Sequence, residues 1–411
     1  MELGPPLQAS HNSAEQTPKA LVQRFIDETL AVALDELRTP DGRPAITIKR
    51  RSRQASLFID FTTGALESDG TETRITYTWP GTNVQEAWKF TVVFRILAVI
   101  ADAIDRGLVV SRRDIYYSDP DCFGTQKVVD TIVDDLAYTI GVDRSALNVV
   151  RSLFGPQSHL NESSTLMPCT TQQEAAAKGL VAGYYRLTTR HGELSDAQIS
   201  DSLIPSRQEI DDIDISDANW VLIVEKEAVY RRLARSDYHT KAIAGKGVLI
   251  TGKGYPDLST RAFVRKIFEK RHQSNKGLHF YALVDSDPDG MAIVSTYKYG
   301  SVAHTSENGK LNVPCLWWLG LRTSDVVTGA SGNDDEALMR LTARDRKKII
   351  GMLSSNPVWA AEGPELAWRA ELQQMLMLNL KAEIEILYDR EEGLEGWIDR
   401  QMASCSLEQA N

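Results

Sequence analysis

Three short apolar runs, Trp220–Val224, Val248–Thr251 and Phe280–Val284, constrain this chain more than any other feature. A strand with one wet face alternates polar and apolar residues, whereas an unbroken apolar run describes a strand covered on both sides. Amphipathic helices separate these runs, so the expected architecture is a parallel sheet layered with helices. The C-terminal part reads as helical, over Ala337–Leu353 and then Pro364–Arg390. Leu372, Leu376, Leu380, Ile384 and Leu387 form an apolar stripe along the second helix, a core or subunit-interface face.

The N-terminal half has a different texture. Residues 1–17 are polar and expected to be disordered. A helix is expected from Lys19 to Arg38, and strands over Ala45–Phe61, where Lys49, Arg50, Arg51 and Arg53 form either a solvated charge run or a phosphate-facing strand. Phe90, Phe94, Leu97, Ala101 and Ile104 mark a helix that stops at Gly107, and Val128, Ile132 and Leu136 mark another that stops at Gly141. Strand-like segments follow at Ala146–Val150 and Val181–Thr188. Helices followed by a small sheet are the order of a winged-helix module. The acidic stretch 189–217 reads as a linker, which divides the chain into 1–17, 18–188, 189–217 and 218–411.

Composition narrows the class. The 411 residues carry 46 Lys+Arg against 56 Asp+Glu, a net charge of −10, so any contact with nucleic acid depends on local basic patches. The cysteines, Cys122, Cys169, Cys315 and Cys405, form no CxxC pair, which disfavours a zinc ribbon or a disulfide framework and fits a reducing compartment. No apolar run approaches the roughly 20 residues that span a bilayer, and no signal-peptide core is present. A soluble, intracellular protein is expected.

Chemistry concentrates where the apolar runs end. Glu225 follows Trp220–Val224, and Asp285 and Asp287 follow Phe280–Val284 in Asp-Ser-Asp-Pro-Asp-Gly. Ligands of open parallel sheets sit beyond the carboxyl ends of the strands, so these acids converge on one crevice. Crowded carboxylates call for a hard cation such as Mg²⁺. The bland alternative is an Asp/Gly turn and a helix cap. Asp289 and Glu227 are the supporting candidates nearby. Gly247–Gly254 approaches the phosphate-loop pattern, but Gly254 stands where Ser or Thr is needed and the spacer is strand-like, so nucleotide binding there is rejected. Lys253 sits in a turn near the acids. Arg261, Arg265, Lys266, Lys270 and Arg271 follow on one helix, as a solvated face or a phosphate track.

Ser-Arg-Arg-Asp-Ile-Tyr-Tyr at 111–117 resembles the nucleophile motif in the A protein of topoisomerase VI and in its eukaryotic relatives, which make the double-strand breaks of meiotic recombination. Val-Glu-Lys-Glu-Ala-Val-Tyr at 224–230, Gly-Lys-Gly-Tyr-Pro-Asp at 252–257 with Thr260 and Arg261, and Asp-Ser-Asp-Pro-Asp-Gly at 285–290 resemble that family's Toprim half. Trp318-Leu-Gly-Leu-Arg322 through Asp325, and Trp368-Arg369 through Lys381-Ala-Glu, resemble its C-terminal part.

The resemblance, over about residues 80–390, implies a mixed α/β chain: a CAP-like winged-helix domain, then a Toprim domain with a parallel sheet and a helical C-terminal extension. It implies Tyr117 as nucleophile with Arg113 as partner, Mg²⁺ on Glu225, Asp285 and Asp287, and a homodimer that shares its active sites over double-stranded DNA. Nothing in the tyrosine pair itself selects Tyr117 over Tyr116. Lys253, Arg261 and Lys127 are candidate DNA contacts. The implied activity is DNA cleavage by transesterification through a 5′-phosphotyrosyl link, in the nucleus. The implied partners are meiotic accessory proteins and a topoisomerase VI B-like subunit. The alternatives are a catalytic subunit of a type IIB topoisomerase working with an ATPase partner, a Toprim nuclease that needs no tyrosine, and a non-catalytic DNA-binding scaffold.

Overall fold

The computed structural model describes residues 17–51, 56–70, 72–142, 144–150, 178–189, 194–196, 202–205, 209–274, 277–328 and 338–410. The chain divides into two compact units. The first is Met1–Gln54 with Gly70–Ala175, and the second is Ala55–Asp69 with Ala176–Asn411.

In the first unit, α1 (Pro18–Arg38) starts at Thr17, whose hydroxyl accepts the Ala20 N–H, with proline in the first turn where no intrahelical donor is needed. β1 (Ala45–Arg51) pairs antiparallel with β2 (Glu72–Thr78). Alternation turns Ile46 and Ile48 into the core. Lys49 and Arg50 pair with Glu72 and Asp135 at 3.3 and 3.0 Å, so that part of the basic run is balanced by acids; Arg53 lies outside the described residues. α2 (Val84–Asp105), α3 (Arg112–Ser118) and α4 (Gln126–Ile140) pack around one apolar core that includes Ile96, Leu97, Ile115, Ile132 and Leu136. Each such side chain contributes roughly 1.5–3 kcal/mol on burial. Gly141, at φ +78°, closes α4 in the left-handed conformation that glycine adopts without strain.

The second unit is built on a six-stranded sheet. Its labelled strands are β3 (Leu180–Gly183), β4 (Trp220–Val224), β5 (Gly247–Thr251), β6 (His279–Leu283) and β7 (Leu316–Gly320). The spatial order is Ser202–Leu203, β3, β5, β4, β6, β7; β5, β4, β6 and β7 run parallel, and β3 is antiparallel to β5. The three apolar runs are therefore its central strands. Helices α5 (Glu227–Arg235), α6 (Leu258–Ser274) and α7 (Pro288–Lys298) connect them, and two apolar clusters bury the strands' alternate side chains. The C-terminal part carries α8 (Ala343–Ser355), α9 (Leu366–Leu378) and β8 (Leu380–Ala382).

The structure corrects four expectations. The strands at Ala146–Val150 and Val181–Thr188 do not form one small sheet: Val149–Val150 pairs with Val110–Ser111, whereas Leu180–Gly183 lies beside β5 in the second unit. The stretch 189–217 is not a bare linker, since Ile210–Asp214 pairs with Arg186–Thr189. Leu57–Ile59 and Leu66–Ser68 form a hairpin that belongs to the second unit, where Asn308 and Asn312 donate to its Leu66 and Thr63 carbonyls at 2.7 Å. Finally, the stripe from Leu372 to Leu387 is not one helix. Asn379, at φ +55°, ends α9, and β8 then pairs with Leu338–Arg340, the segment expected to open a helix. Among the described residues no helix is long and apolar enough to cross a membrane.

Candidate active site

Helix α3 carries the tyrosine pair. Ser111 and Asp114 form a reciprocal capping box: the Asp114 N–H donates to the Ser111 hydroxyl at 3.1 Å, and the Ser111 N–H donates to the Asp114 carboxylate at 2.8 Å. Ile115 is fully buried and Tyr116 packs against the core, which leaves Tyr117 68% exposed. The two arginines divide in the same way. Arg112 is tucked between Asp130 and Asp134 of α4, at 3.6 and 3.8 Å. Arg113 is exposed and lies one turn before Tyr117, on the same helix face. The choice that the motif left open between Tyr116 and Tyr117 thus acquires a physical basis, because only Tyr117 stands clear of the core. Lys127 is exposed in the first turn of α4.

In the second unit, sheet topology brings the acids together. From β4 the chain moves to β5 on one side and then to β6 on the other, so the strand order reverses between β4 and β6. The gap that opens at such a reversal is where open α/β sheets bind ligands. Val224 and Leu283 are paired across these two strands, which puts Glu225 beside the Asp285 turn. The Asp285 N–H donates to Glu225 Oε2 at 3.0 Å, and the Gly290 N–H donates to Asp287 Oδ1, the cap of α7, at 2.7 Å. Gly290 permits this closeness: a Cβ there would collide with the Asp285 carbonyl oxygen and lie 3.2 Å from Glu225 Oε2.

Burial, reinforced by Asp285 and Asp287, pushes the Glu225 carboxyl up to about 8. Burial also raises Asp285 to about 6 against the opposing pull of Lys226, and raises Asp287. One buried and two half-buried carboxyls that resist ionisation together are an all-oxygen donor set that suits a hard divalent cation. As the side chains lie, no three Asp, Glu, His or Cys among the described residues are spaced to enclose an ion. Both Asp285 oxygens are already engaged, one with the Ile384 N–H at 2.9 Å and the other with Lys226 at 3.2 Å.

The neighbouring candidates separate from this group. Asp289 is paired with Lys348 and accepts from Tyr255, while Glu227 is paired with Arg231 and, at 3.2 Å, with Lys253. Lys253 therefore borders the site as one half of an ion pair. Arg261 does not fit a DNA contact: it is 1% exposed and donates to Asn308 inside the core. Three more of that helix's cations are committed, since Arg265 donates to Asn312, Lys266 donates to the Ile210 and Asp211 carbonyls, and Lys270 pairs with Asp212. Through Lys266 and Lys270 the helix fastens the acidic strand, which takes these two cations out of any phosphate track. Lys266→Met is expected to destabilise the protein by about 1–2 kcal/mol through the lost hydrogen bonds. DNA affinity should be unchanged, as read by thermal melting alongside a filter-binding titration.

Sequence reasoning missed the shell around the acids: Lys226, Lys348, Glu383 and Glu385. Lys226 had a signal, being adjacent to Glu225. Glu383 closes the Lys381-Ala-Glu motif, with nothing there to tie it to Lys226, and Lys348 and Glu385 lie far along the chain from their partners and carried no signal.

Two family models match the chain. The Toprim domain of Spo11 and the topoisomerase 6 A protein covers residues 220–394, and the type IIB DNA topoisomerase model covers residues 88–149. The human meiotic recombination protein SPO11 is 30% identical over 93% of this chain and 86% of its own length. The rice (Oryza sativa subsp. indica) meiotic recombination protein SPO11-1 is 34% identical over 73% of this chain and 70% of its own length. The A protein of Arabidopsis thaliana DNA topoisomerase 6 is 31% identical over 75% of this chain and 64% of its own length. The chain belongs to the family of Spo11 and the topoisomerase 6 A proteins.

Proposed function

We propose that the protein is a metal-dependent DNA transesterase that makes double-strand breaks to initiate meiotic recombination. The observation that carries this reading is the exposed Tyr117 one turn from the exposed Arg113, on a helix whose neighbouring side chains are tied down. A phenol in water ionises near pH 10, so its attack needs help. Arg113 supplies a planar guanidinium for the phenolate and for charge developing on the phosphate oxygens. The Tyr117 oxygen gives up its proton to water and bonds to phosphorus as the bond to the 3′-oxygen breaks. The departing 3′-oxygen takes up a proton, which leaves a 5′-phosphotyrosyl link and a 3′-hydroxyl. One phosphoester replaces another, so no water is consumed. Glu225, Asp285 and Asp287 would hold Mg²⁺, which supplies Lewis-acid stabilisation of charge at the departing oxygen. The proposal includes a nuclear homodimer whose two copies share active sites, and a B-like ATPase partner.

Neither identity nor coverage by itself separates this reading from a topoisomerase: the meiotic relatives from human and rice are 30% and 34% identical over 93% and 73% of the chain, and the Arabidopsis topoisomerase 6 protein is 31% identical over 75%. Trapping decides among the readings. Reactions with double-stranded DNA and Mg²⁺, quenched in denaturant, are expected to contain protein joined to DNA 5′ ends, and chelator should remove this signal. Cut DNA without attached protein would indicate a nuclease, and uncut DNA with retained binding a scaffold. ATP-dependent relaxation on mixing with a B-like partner would favour the topoisomerase.

A further inference from the structure

Lys226 follows Glu225 directly, and its side chain reaches the acid turn at Asp285. Its ammonium contacts three carboxylates: Glu385 at 2.7 Å, Glu383 at 2.9 Å and Asp285 at 3.2 Å. The bond to Glu385 is a hydrogen bond, and the other two are ion pairs. The Lys226 side chain is 23% exposed and that of Asp285 only 9%, so water screens their contact poorly. Glu383 and Glu385 flank Ile384, whose N–H holds the other oxygen of Asp285 at 2.9 Å. Reciprocal backbone hydrogen bonds between Ser286 and Ala382, at 2.9 and 3.1 Å, pin the same segment to the acid turn. One short stretch, 382–385, therefore grips Asp285 from both sides, and on one of those sides it does so through Lys226.

We propose that Lys226 is a positioning residue for Asp285, bridging it to Glu383 and Glu385 so that its carboxylate is held in place for the metal. The inference rests on the reading of Asp285 as a metal ligand. Without Lys226, Asp285 faces Glu383 and Glu385 without the cation that all three share. Repulsion then rotates it away, and that displacement weakens metal binding. Outer partners of metal ligands typically control affinity in this way.

The test counts bound Mn²⁺ on the full chain by electron paramagnetic resonance, without DNA, so that the readout is independent of cleavage. Lys226→Met is expected to weaken Mn²⁺ binding roughly 10–100-fold. The triple variant Lys226→Met/Glu383→Gln/Glu385→Gln removes the repelling charges together with the lysine and is expected to recover most of the affinity. If Lys226→Met alone does not fold, the triple variant decides. A Lys226→Met protein that binds Mn²⁺ like wild type but has lost DNA affinity would show a phosphate contact instead and overturn the proposal. A triple variant that remains weak would overturn it as well. A wild-type chain that binds no Mn²⁺ would refute the metal reading itself, a different failure.

Discussion

Tyr117→Phe is expected to leave no protein attached to DNA, while Tyr116→Phe retains the adduct. The two substitutions remove the same atom from adjacent residues, so their contrast isolates the position of the hydroxyl. Tyr116 lies against the core of the first unit and Phe preserves that packing, so its stability cost should stay within about 0.5 kcal/mol. Tyr117 is 68% exposed, and losing its hydroxyl removes the proposed nucleophile with little effect on folding. Arg113→Ala is expected to slow adduct formation about 10²–10³-fold, the usual effect of removing one donor from developing charge. Arg112→Ala should instead loosen α3 from α4, because Arg112 is held by Asp130 and Asp134. Denaturing gels of end-labelled DNA read adduct yield, and melting curves read stability. Adduct surviving in Tyr117→Phe and vanishing in Tyr116→Phe would reverse the assignment.

The second large effect is on stability. The Glu225 carboxyl ionises at about 8 in the folded, metal-free chain, well above its ordinary range. Because the folded value is the higher one, its contribution is complete in acid, below about pH 4.5. It is then lost as pH rises toward 8, where the folded state must also ionise. The cost at pH 8 and above is on the order of 4 kcal/mol, screening aside. Metal-free wild type should therefore melt at progressively lower temperature from pH 5 to 8, and Glu225→Gln should flatten that slope and melt higher at pH 8. Mg²⁺ should raise the wild-type melting temperature, more strongly at pH 8 than at pH 6 since it displaces the proton, and leave Glu225→Gln almost unmoved. A wild-type melting temperature flat from pH 5 to 8, with Mg²⁺ protecting both proteins equally, would sink this account of the pocket.

The parts of the fold legible in advance were those in which one segment suffices to state its own environment. Trp220–Val224 is apolar on both faces because it is covered on both faces, and β4 lies in the middle of the sheet. Gly107 and Gly141 mark the stops of α2 and α4 because a left-handed residue is needed there and glycine adopts that conformation freely. The stripe through Leu372 and Leu387 misled because Asn379, which tolerates the same conformation, breaks the helix midway while the apolar spacing continues into a strand and a 3₁₀ turn. Leu180–Gly183 and the hairpin at 57–68 were assigned to the wrong half because strand pairing is decided by partners far away in the chain.

Sequence alone determined the chemistry on offer: a tyrosine beside an arginine, and carboxylates at the ends of buried strands. Local order also set which residues could share a helix face or a turn. Tertiary structure decided which of those groups are usable. It buried Arg261, committed Lys266 and Lys270 to β-strand carbonyls and acids, set Tyr116 into the core while leaving Tyr117 outside, and gathered Lys226, Glu383 and Glu385 around Asp285. The reason is that a side chain's exposure, charge partners and proton affinity are properties of its surroundings. Here those surroundings come from segments as far apart in the chain as Lys226 and Glu385, a separation over which residue spacing holds no record of contact.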